Sequence, residues 1–200
     1  MTRRSGLLCL FVALVWAGTV SHAVLAQAPA EDGPRYVNGT SLVRPADYRA
    51  WPFLGSGLGL TYDAETAAPS TPPAFSNVFV NPSAYRAFLQ TGTWPDGTVL
   101  LLEFRRALTG TPPNTSGRFQ GDLTLLEAEV KDARFPGGWA YFTFGRPGAM
   151  LDAAPPMGGE EVERCIECHT EHTAVERTFV QFYPTLLEVA RARGTVKPGF

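Results

Sequence analysis

The residues best suited to chemistry lie close together near the C-terminus of the chain. The 200 residues include three Cys and three His, and four of these six are Cys165, Cys168, His169 and His172. The run Cys-x-x-Cys-His at residues 165–169 places two thiols one helical turn apart and an imidazole directly after the second. This is the spacing of c-type haem attachment, in which the thiols bond to the vinyl groups and the His binds the iron. We therefore predict one covalent haem c, attached through Cys165 and Cys168, with His169 as the axial ligand.

Three other interpretations explain the motif less well. A redox disulfide between Cys165 and Cys168 normally begins a helix after a strand in a βαβ unit, which the pattern does not indicate. A structural zinc site needs four ligands, and the adjacency of Cys168 and His169 would strain its tetrahedral geometry. Chance is disfavoured because Cys9 is the only Cys outside the motif, and it lies in a segment that we expect to be removed.

The other face of the iron has no obvious protein ligand. His172 follows His169 by three residues, so both lie on the same side of the haem, and His172 is expected to be exposed to solvent. Met150 and Met157 precede the motif, and Lys131 binds iron only when deprotonated. We expect a five-coordinate iron that binds a small molecule. The alternative is a six-coordinate electron carrier that uses one of the two Met residues.

The N-terminus has the pattern of a secretory signal peptide. Arg3 and Arg4 precede an apolar run over residues 6–18, and small or aliphatic residues lead to Ala26. We predict that residues 1–26 are cleaved. A membrane anchor is the weaker alternative because the apolar run is short for a bilayer. Since bacterial c-type haem is attached outside the cytoplasmic membrane, the motif and the leader together predict a periplasmic protein.

The composition of the cleaved chain limits its partners and its fold. Loss of Arg3 and Arg4 lowers Lys plus Arg from 17 to 15 against 19 acidic residues, a net charge of about −4. Without a basic cluster, the chain is not expected to bind nucleic acid. The 20 Gly and 17 Pro disfavour a helical bundle. We expect a loose arm over residues 27–44 and one domain over residues 45–200.

The residue patterns predict an α+β fold, an antiparallel sheet with packed helices and the haem motif on a C-terminal helix. Strands are predicted at 75–80, 98–104, 121–132 and 139–144, and helices at 83–90, from 160 onward, at 176–182 and at 184–193. In the third of these strands, Leu126 and Ala128 alternate with Glu127 and Glu129. The two Glu side chains are therefore expected on a solvated face.

Several segments together resemble the cytochrome P-460 family, which includes the cytochromes c′-beta. The matching segments are Phe75-Ser76-Asn77-Val78-Phe79-Val80-Asn81-Pro82 with Ala84, Trp94-Pro95-Asp96-Gly97-Thr98-Val99, Val130-Lys131-Asp132, Gly137-Gly138-Trp139, and Cys165 to His169. The resemblance implies an antiparallel sheet with helices, one covalent haem, His169 as proximal ligand and a homodimer.

The resemblance also implies two alternative activities. In cytochromes P-460 a Lys forms an extra link to the porphyrin, and the iron oxidises hydroxylamine with help from a distal acid. Leu102 stands where that Lys is expected, and Glu127 and Glu129 are the candidate acids. Cytochromes c′-beta instead bind gases such as NO in a pocket capped by Phe. The candidate distal residues are Phe75, Phe79, Leu102, Phe104, Phe142 and Phe144.

We therefore expect an exported cytochrome that binds NO or a similar small molecule, with a redox partner protein as a further candidate partner. The alternatives are a hydroxylamine or NO oxidoreductase and a six-coordinate electron-transfer cytochrome.

Overall fold

Eight strands and three α-helices make up most of the regular structure in the described part of the chain. The computed structural model describes residues 31–60, 73–113 and 115–200, so the predicted signal peptide lies outside the described residues. The elements are β1 Tyr36–Val37, β2 Ser41–Val43, β3 Phe53–Leu58, β4 Ala74–Val80, α1 Pro82–Thr91, β5 Thr98–Leu108, β6 Phe119–Lys131, β7 Trp139–Gly145, β8 Ala153–Ala154, α2 Gly159–Glu171 and α3 Pro184–Arg193. This is the predicted α+β architecture.

The larger sheet is an antiparallel sheet of five strands in the order β3-β4-β5-β6-β7. The order of the strands follows the chain, with α1 inserted between β4 and β5 and a short connection over residues 132–138 between β6 and β7. The turn before β5 has the sequence Pro95-Asp96-Gly97, and Gly97 has a φ of 83°, which favours glycine. β5 lies at the centre of the sheet, and its residues 98–101 are buried. Burial on both faces explains its nearly continuous apolar sequence.

The two faces of this sheet contact different layers. On one face, Leu101, Ala128 and Phe142 lie side by side and belong to a core that includes Leu42 from β2 and Trp51. On the other face, the helices and the segment before α3 form a second core. Its largest buried members are Phe88, Trp94, Val175, Val180 and Leu186. Because successive side chains of a strand point to opposite faces of the sheet, neighbouring residues pack against different layers.

Helix α1 begins and ends where its sequence predicts. Pro82 occupies the first turn, where its missing N–H has no cost, and Gly92 ends the helix in the left-handed region with a φ of 74°. Phe88 from this helix packs on Trp94, with ring centroids 4.3 Å apart. Within the described residues, no helix is both long and apolar enough to span a membrane.

Two predicted elements differ from the structure. The arm expected to be loose contains β1 and β2, and β2 pairs with the distant β8, which buries Leu42 completely. Residues 176–182, predicted as helix, form an irregular segment that ends in a single 3-10 turn at Val180–Phe182. Glu176 has a φ of 52°, which interrupts any helix at that point.

Candidate haem site

A cavity of about 350 Å³ lies on the helical face of the larger sheet. Its floor is formed by side chains from the central strands, and its walls include residues of β3, of α2 and of the segment before α3. The floor is largely apolar, with Val78 on β4 and Leu100, Leu102 and Phe104 on β5. The cavity also reaches Cys165 and His169, so two of the three predicted haem-binding residues face it.

The hydrogen bonds of His169 define which of its nitrogens is available to a metal. Nδ1 lies 2.8 Å from the carbonyl oxygen of Arg177 and 3.1 Å from Oε1 of Glu129. A carbonyl and a carboxylate only accept hydrogen bonds, so Nδ1 carries a hydrogen, and in the neutral imidazole Nε2 keeps its lone pair. Burial disfavours the imidazolium, but the hydrogen bond and charge of Glu129 outweigh it and raise the pKa of His169. The ring is thus oriented as an axial ligand requires.

The helix that carries the motif has few contacts with the rest of the protein. Glu160 and Glu161 lie in the first turn of α2, where acidic residues favour helix formation, but no residue of α2 is fully buried. Cys165 and Cys168 are free thiols, and burial, as the largest cause, raises the pKa of each. Cys168 lies beside the cavity and does not line it. A group bound between α2 and the sheet would supply the packing that this helix lacks.

The hydroxyl of Tyr141 supports the presence of such a group. Tyr141 is 5% exposed, lines the cavity, and its ring meets that of His169 edge-on at 5.0 Å. Within the described part of the chain, its hydroxyl makes no hydrogen bond of good geometry, although the carboxylate of Glu129 is close enough to raise the pKa of Tyr141. A buried donor without an acceptor is costly, and a carboxylate on a bound molecule would remove that cost. Haem carries two propionates, so the free thiols, the oriented His169 and this hydroxyl together fit haem.

The part of the cavity that lies away from His169 is mainly apolar. His169 contacts Glu129 on β6 and Tyr141 on β7, whereas Val78 lies on β4, about 10 Å from β6 at normal strand spacing. Leu102 and Phe104 lie on the intervening strand, β5, and also line the cavity. A ligand bound in this part of the cavity would therefore meet mainly aliphatic and aromatic side chains, together with Ser76 and Glu127, which pair with Phe104 and Leu102.

The predicted distal residues separate onto the two faces of the sheet. Leu102 and Phe104 line the cavity. Phe142 and Phe144 do not, because they are buried in the core on the opposite face. Phe79 packs against that same core, and Phe75 shares its face by alternation. The prediction for these four Phe residues therefore needs correction.

The two Glu side chains of β6 were expected on a solvated face, and this expectation is also wrong. Both line the cavity, and the Glu129 side chain is 11% exposed. Glu129 contacts His169, so it lies on the side of the axial ligand and not opposite it. Glu127 is paired with Leu102 across the strands, and burial followed by the charge of Glu161 raises the pKa of Glu127. The helical layer covers this face, which the strand pattern alone does not reveal.

The candidate sixth ligands occupy different places. Met150 packs against the core on the opposite face of the sheet, and Lys131 binds Glu176 at 2.6 Å and the carbonyl oxygen of Trp94 at 2.7 Å. Met157 lines the cavity, but its backbone N–H donates to the carbonyl oxygen of Tyr141, which places it beside β7, near His169. Among the described lining residues there is no Lys and no second His.

The sequence did not identify three parts of the site. The first is the carbonyl of Arg177, the second is Tyr141, and the third is Phe179, whose ring lies 4.8 Å from that of His169. Tyr141 had a usable signal, because cross-strand pairing of β6 and β7 places it directly opposite Glu129. The other two depend on an irregular segment that has no sequence period.

An oriented His and two free thiols on α2, beside a mainly apolar cavity over a β-sheet, are the arrangement expected of a haem-binding cytochrome. The family comparison is more specific: the model of the family described as Cytochrome P460 matches residues 45–180. The chain belongs to the cytochrome P460 family, as the resemblance predicted, and haem is the cofactor of this family. No curated protein matches the chain in a sequence comparison.

Proposed function

We propose that the protein is a mono-haem c-type cytochrome whose five-coordinate iron binds a small molecule such as NO. One observation supports this most strongly. His169 is held at one end of the cavity, while Val78, Leu102 and Phe104 provide an apolar surface away from it. An iron held by His169 alone would keep its sixth position open to an added ligand.

Different residues of the chain would attach the haem, bind its iron and surround the ligand. Cys165 and Cys168 hold the porphyrin covalently, and His169 binds the iron through Nε2 while Nδ1 remains hydrogen-bonded. When bound, haem supplies an iron centre that coordinates diatomic ligands. The apolar side chains of Leu102 and Phe104 exclude water and favour small neutral ligands over anions that need hydrogen bonds.

We also propose that the protein is exported to the periplasm and acts as a homodimer, with a redox partner protein as a candidate partner. The leader pattern of residues 1–26 supports export, since covalent haem attachment in bacteria occurs outside the cytoplasmic membrane. The homodimer follows from the family resemblance. Size determination of the holoprotein by light scattering tests it, and a monomeric mass would contradict it.

The optical spectrum of the purified, reduced holoprotein tests the coordination. We expect a high-spin, five-coordinate spectrum that changes when NO or CO is added. A sharply split low-spin α band without added ligand would contradict the proposal and favour the electron carrier. Met157→Leu is the matched variant, because it removes the one Met that lines the cavity. We expect the variant to have the spectrum of the wild type.

A second candidate function is oxidation of hydroxylamine or NO, and the position of Glu127 favours it. Its carboxyl group lines the cavity opposite Leu102, and burial raises the pKa of Glu127, which suits a group that exchanges protons with a bound substrate. Leu102 itself has no amine, so this activity would have to proceed without the link between Lys and porphyrin. A strongly red-shifted Soret band would show that another residue forms such a link.

Glu127→Gln tests this second function. If the protein turns over hydroxylamine with an artificial electron acceptor, we expect the variant to lose 10²-fold or more, roughly the contribution of one general acid or base. Glu163→Gln is the control, because Glu163 is exposed on α2, does not line the cavity and is not among the groups that shift the pKa of Glu127. Absence of hydroxylamine turnover in the wild type would contradict the enzymatic proposal and leave ligand binding intact.

A further inference from the structure

We infer that Glu129 sets the electron donation of the axial ligand, so that the iron is held by a His with partial imidazolate character. This inference rests on the proposed role of His169. It adds a positioning residue that changes the electronic properties of the haem through its contact with Nδ1. The arrangement has three parts: an anionic acceptor, a neutral acceptor on the same nitrogen, and surroundings that leave the anion without another cation.

The first part is the contact itself. Oε1 of Glu129 lies 3.1 Å from Nδ1, and the two side chains are 11% and 21% exposed. A carboxylate that accepts the Nδ1–H bond draws the hydrogen away from the ring and increases the electron density on Nε2. Since both groups are mostly removed from water, the solvent screens this effect only weakly.

The second part is the carbonyl of Arg177, which lies 2.8 Å from the same nitrogen. Two neighbouring contacts fix the segment that carries this carbonyl. Thr173 donates through Oγ1 to the carbonyl of Glu176 at 3.1 Å, and Glu176 forms a 2.6 Å ion pair with Lys131. The carbonyl alone is therefore sufficient to orient the ring. The additional role of Glu129 is to bring negative charge to Nδ1.

The third part is the absence of a competing cation. Among the described residues, the only ion pair of Glu129 is the one with His169. Lys131 shares its strand and face but binds Glu176 and the carbonyl of Trp94. On the neighbouring strand, Tyr141 lies directly opposite Glu129, and burial followed by the charge of Glu129 raises the pKa of Tyr141. The imidazole is therefore the ion-pair partner of this carboxylate among the described residues, while Tyr141 also feels its charge and Arg177 acts on His169 with the opposite sign.

Two consequences follow for the haem. Greater electron density on Nε2 strengthens the bond between iron and His169. The buried negative charge stabilises ferric over ferrous iron, which carries one positive charge less, and thereby lowers the reduction potential. Both quantities are measured on the holoprotein without any substrate.

Glu129→Gln is the test, since it removes the charge and keeps an oxygen at similar reach. We expect the Fe–His stretching band in the resonance Raman spectrum of the ferrous protein to shift to lower frequency, and the reduction potential to rise. Glu127→Gln is the matched control. It removes a carboxylate from the same strand and cavity that acts on His169 through its charge without a described hydrogen bond, so we expect a clearly smaller shift of the Fe–His band than in Glu129→Gln.

An unchanged Fe–His band in Glu129→Gln would overturn the inference, as would an equal shift in Glu127→Gln. If Glu129→Gln does not yield holoprotein, Glu129→Asp keeps the charge but withdraws it by one methylene, and we expect a smaller shift in the same direction. No shift in that variant also overturns the inference. A wild-type spectrum without any Fe–His band would instead contradict the proposed axial role of His169, so the two failures are distinguishable.

Discussion

A Cys165→Ser, Cys168→Ser double variant is expected to lose covalent haem completely. Serine hydroxyls do not add to the vinyl groups, so haem staining after denaturing electrophoresis should disappear, whereas the wild type should stain. We also expect α2 to lose order, because none of its residues is fully buried and the bound haem supplies its packing. Hydrogen exchange over residues 159–171 measures this second effect. Rapid exchange in the variant and slow exchange in the wild type are the expected result.

His169→Ala separates attachment from coordination. The thiols remain, so haem should stay covalently bound, but the axial bond and the hydrogen bond to Arg177 are both removed. We expect a changed ferrous spectrum and a vanished Fe–His band at unchanged haem content. Retention of the wild-type spectrum would show that another residue binds the iron. Persistence of covalent haem in the double Cys variant would show that attachment does not use these thiols.

The sequence predicted those parts of the fold that depend on local signals. Pro82 and Gly92 define the ends of α1, and the Pro95-Asp96-Gly97 turn leads directly into β5. The two-residue strand β8 has no such signal, because it pairs with β2 across more than 100 residues of chain and only the tertiary structure brings these two segments together. β1 differs, since it pairs with β2 across the short turn that contains Asn38 and Gly39, both with positive φ.

The alternation in β6 shows why the site was only partly predictable. A period of two correctly places Glu127 and Glu129 on one face and Leu126 and Ala128 on the other. It does not say which face is covered, because that depends on where the distant α2 packs. The motif identified the ligand His169, while the environment of that ligand came from β6 and from the irregular segment that contains Arg177.

The largest stability effect is expected at Glu103, on the face of the sheet opposite the cavity. Glu103 is 2% exposed and accepts hydrogen bonds from Tyr48 at 2.5 Å and Asn77 at 3.2 Å. Arg49 at 2.9 Å and Arg105 form ion pairs with it. Glu103→Ala leaves these donors without their acceptor, and breaking such a buried ionic group costs about 3–5 kcal/mol. Urea denaturation followed by circular dichroism should show this loss as a lower midpoint.

The pH dependence of the same variant identifies the cause of the loss. Burial alone would raise the pKa of Glu103, but the hydrogen bonds from Arg105, Tyr48 and Asn77 outweigh it and lower the pKa. The folded state therefore holds the proton less tightly than the unfolded chain, whose Glu pKa is about 4.3. The stabilisation is complete above that pH and disappears as the pH falls through the lower folded-state value. The difference in unfolding free energy between the wild type and Glu103→Ala should therefore become smaller in acid. Glu188 is exposed, so the control variant Glu188→Ala should unfold like the wild type at every pH. A difference that stays constant with pH would show that Glu103 stabilises the fold by packing and not by its charge.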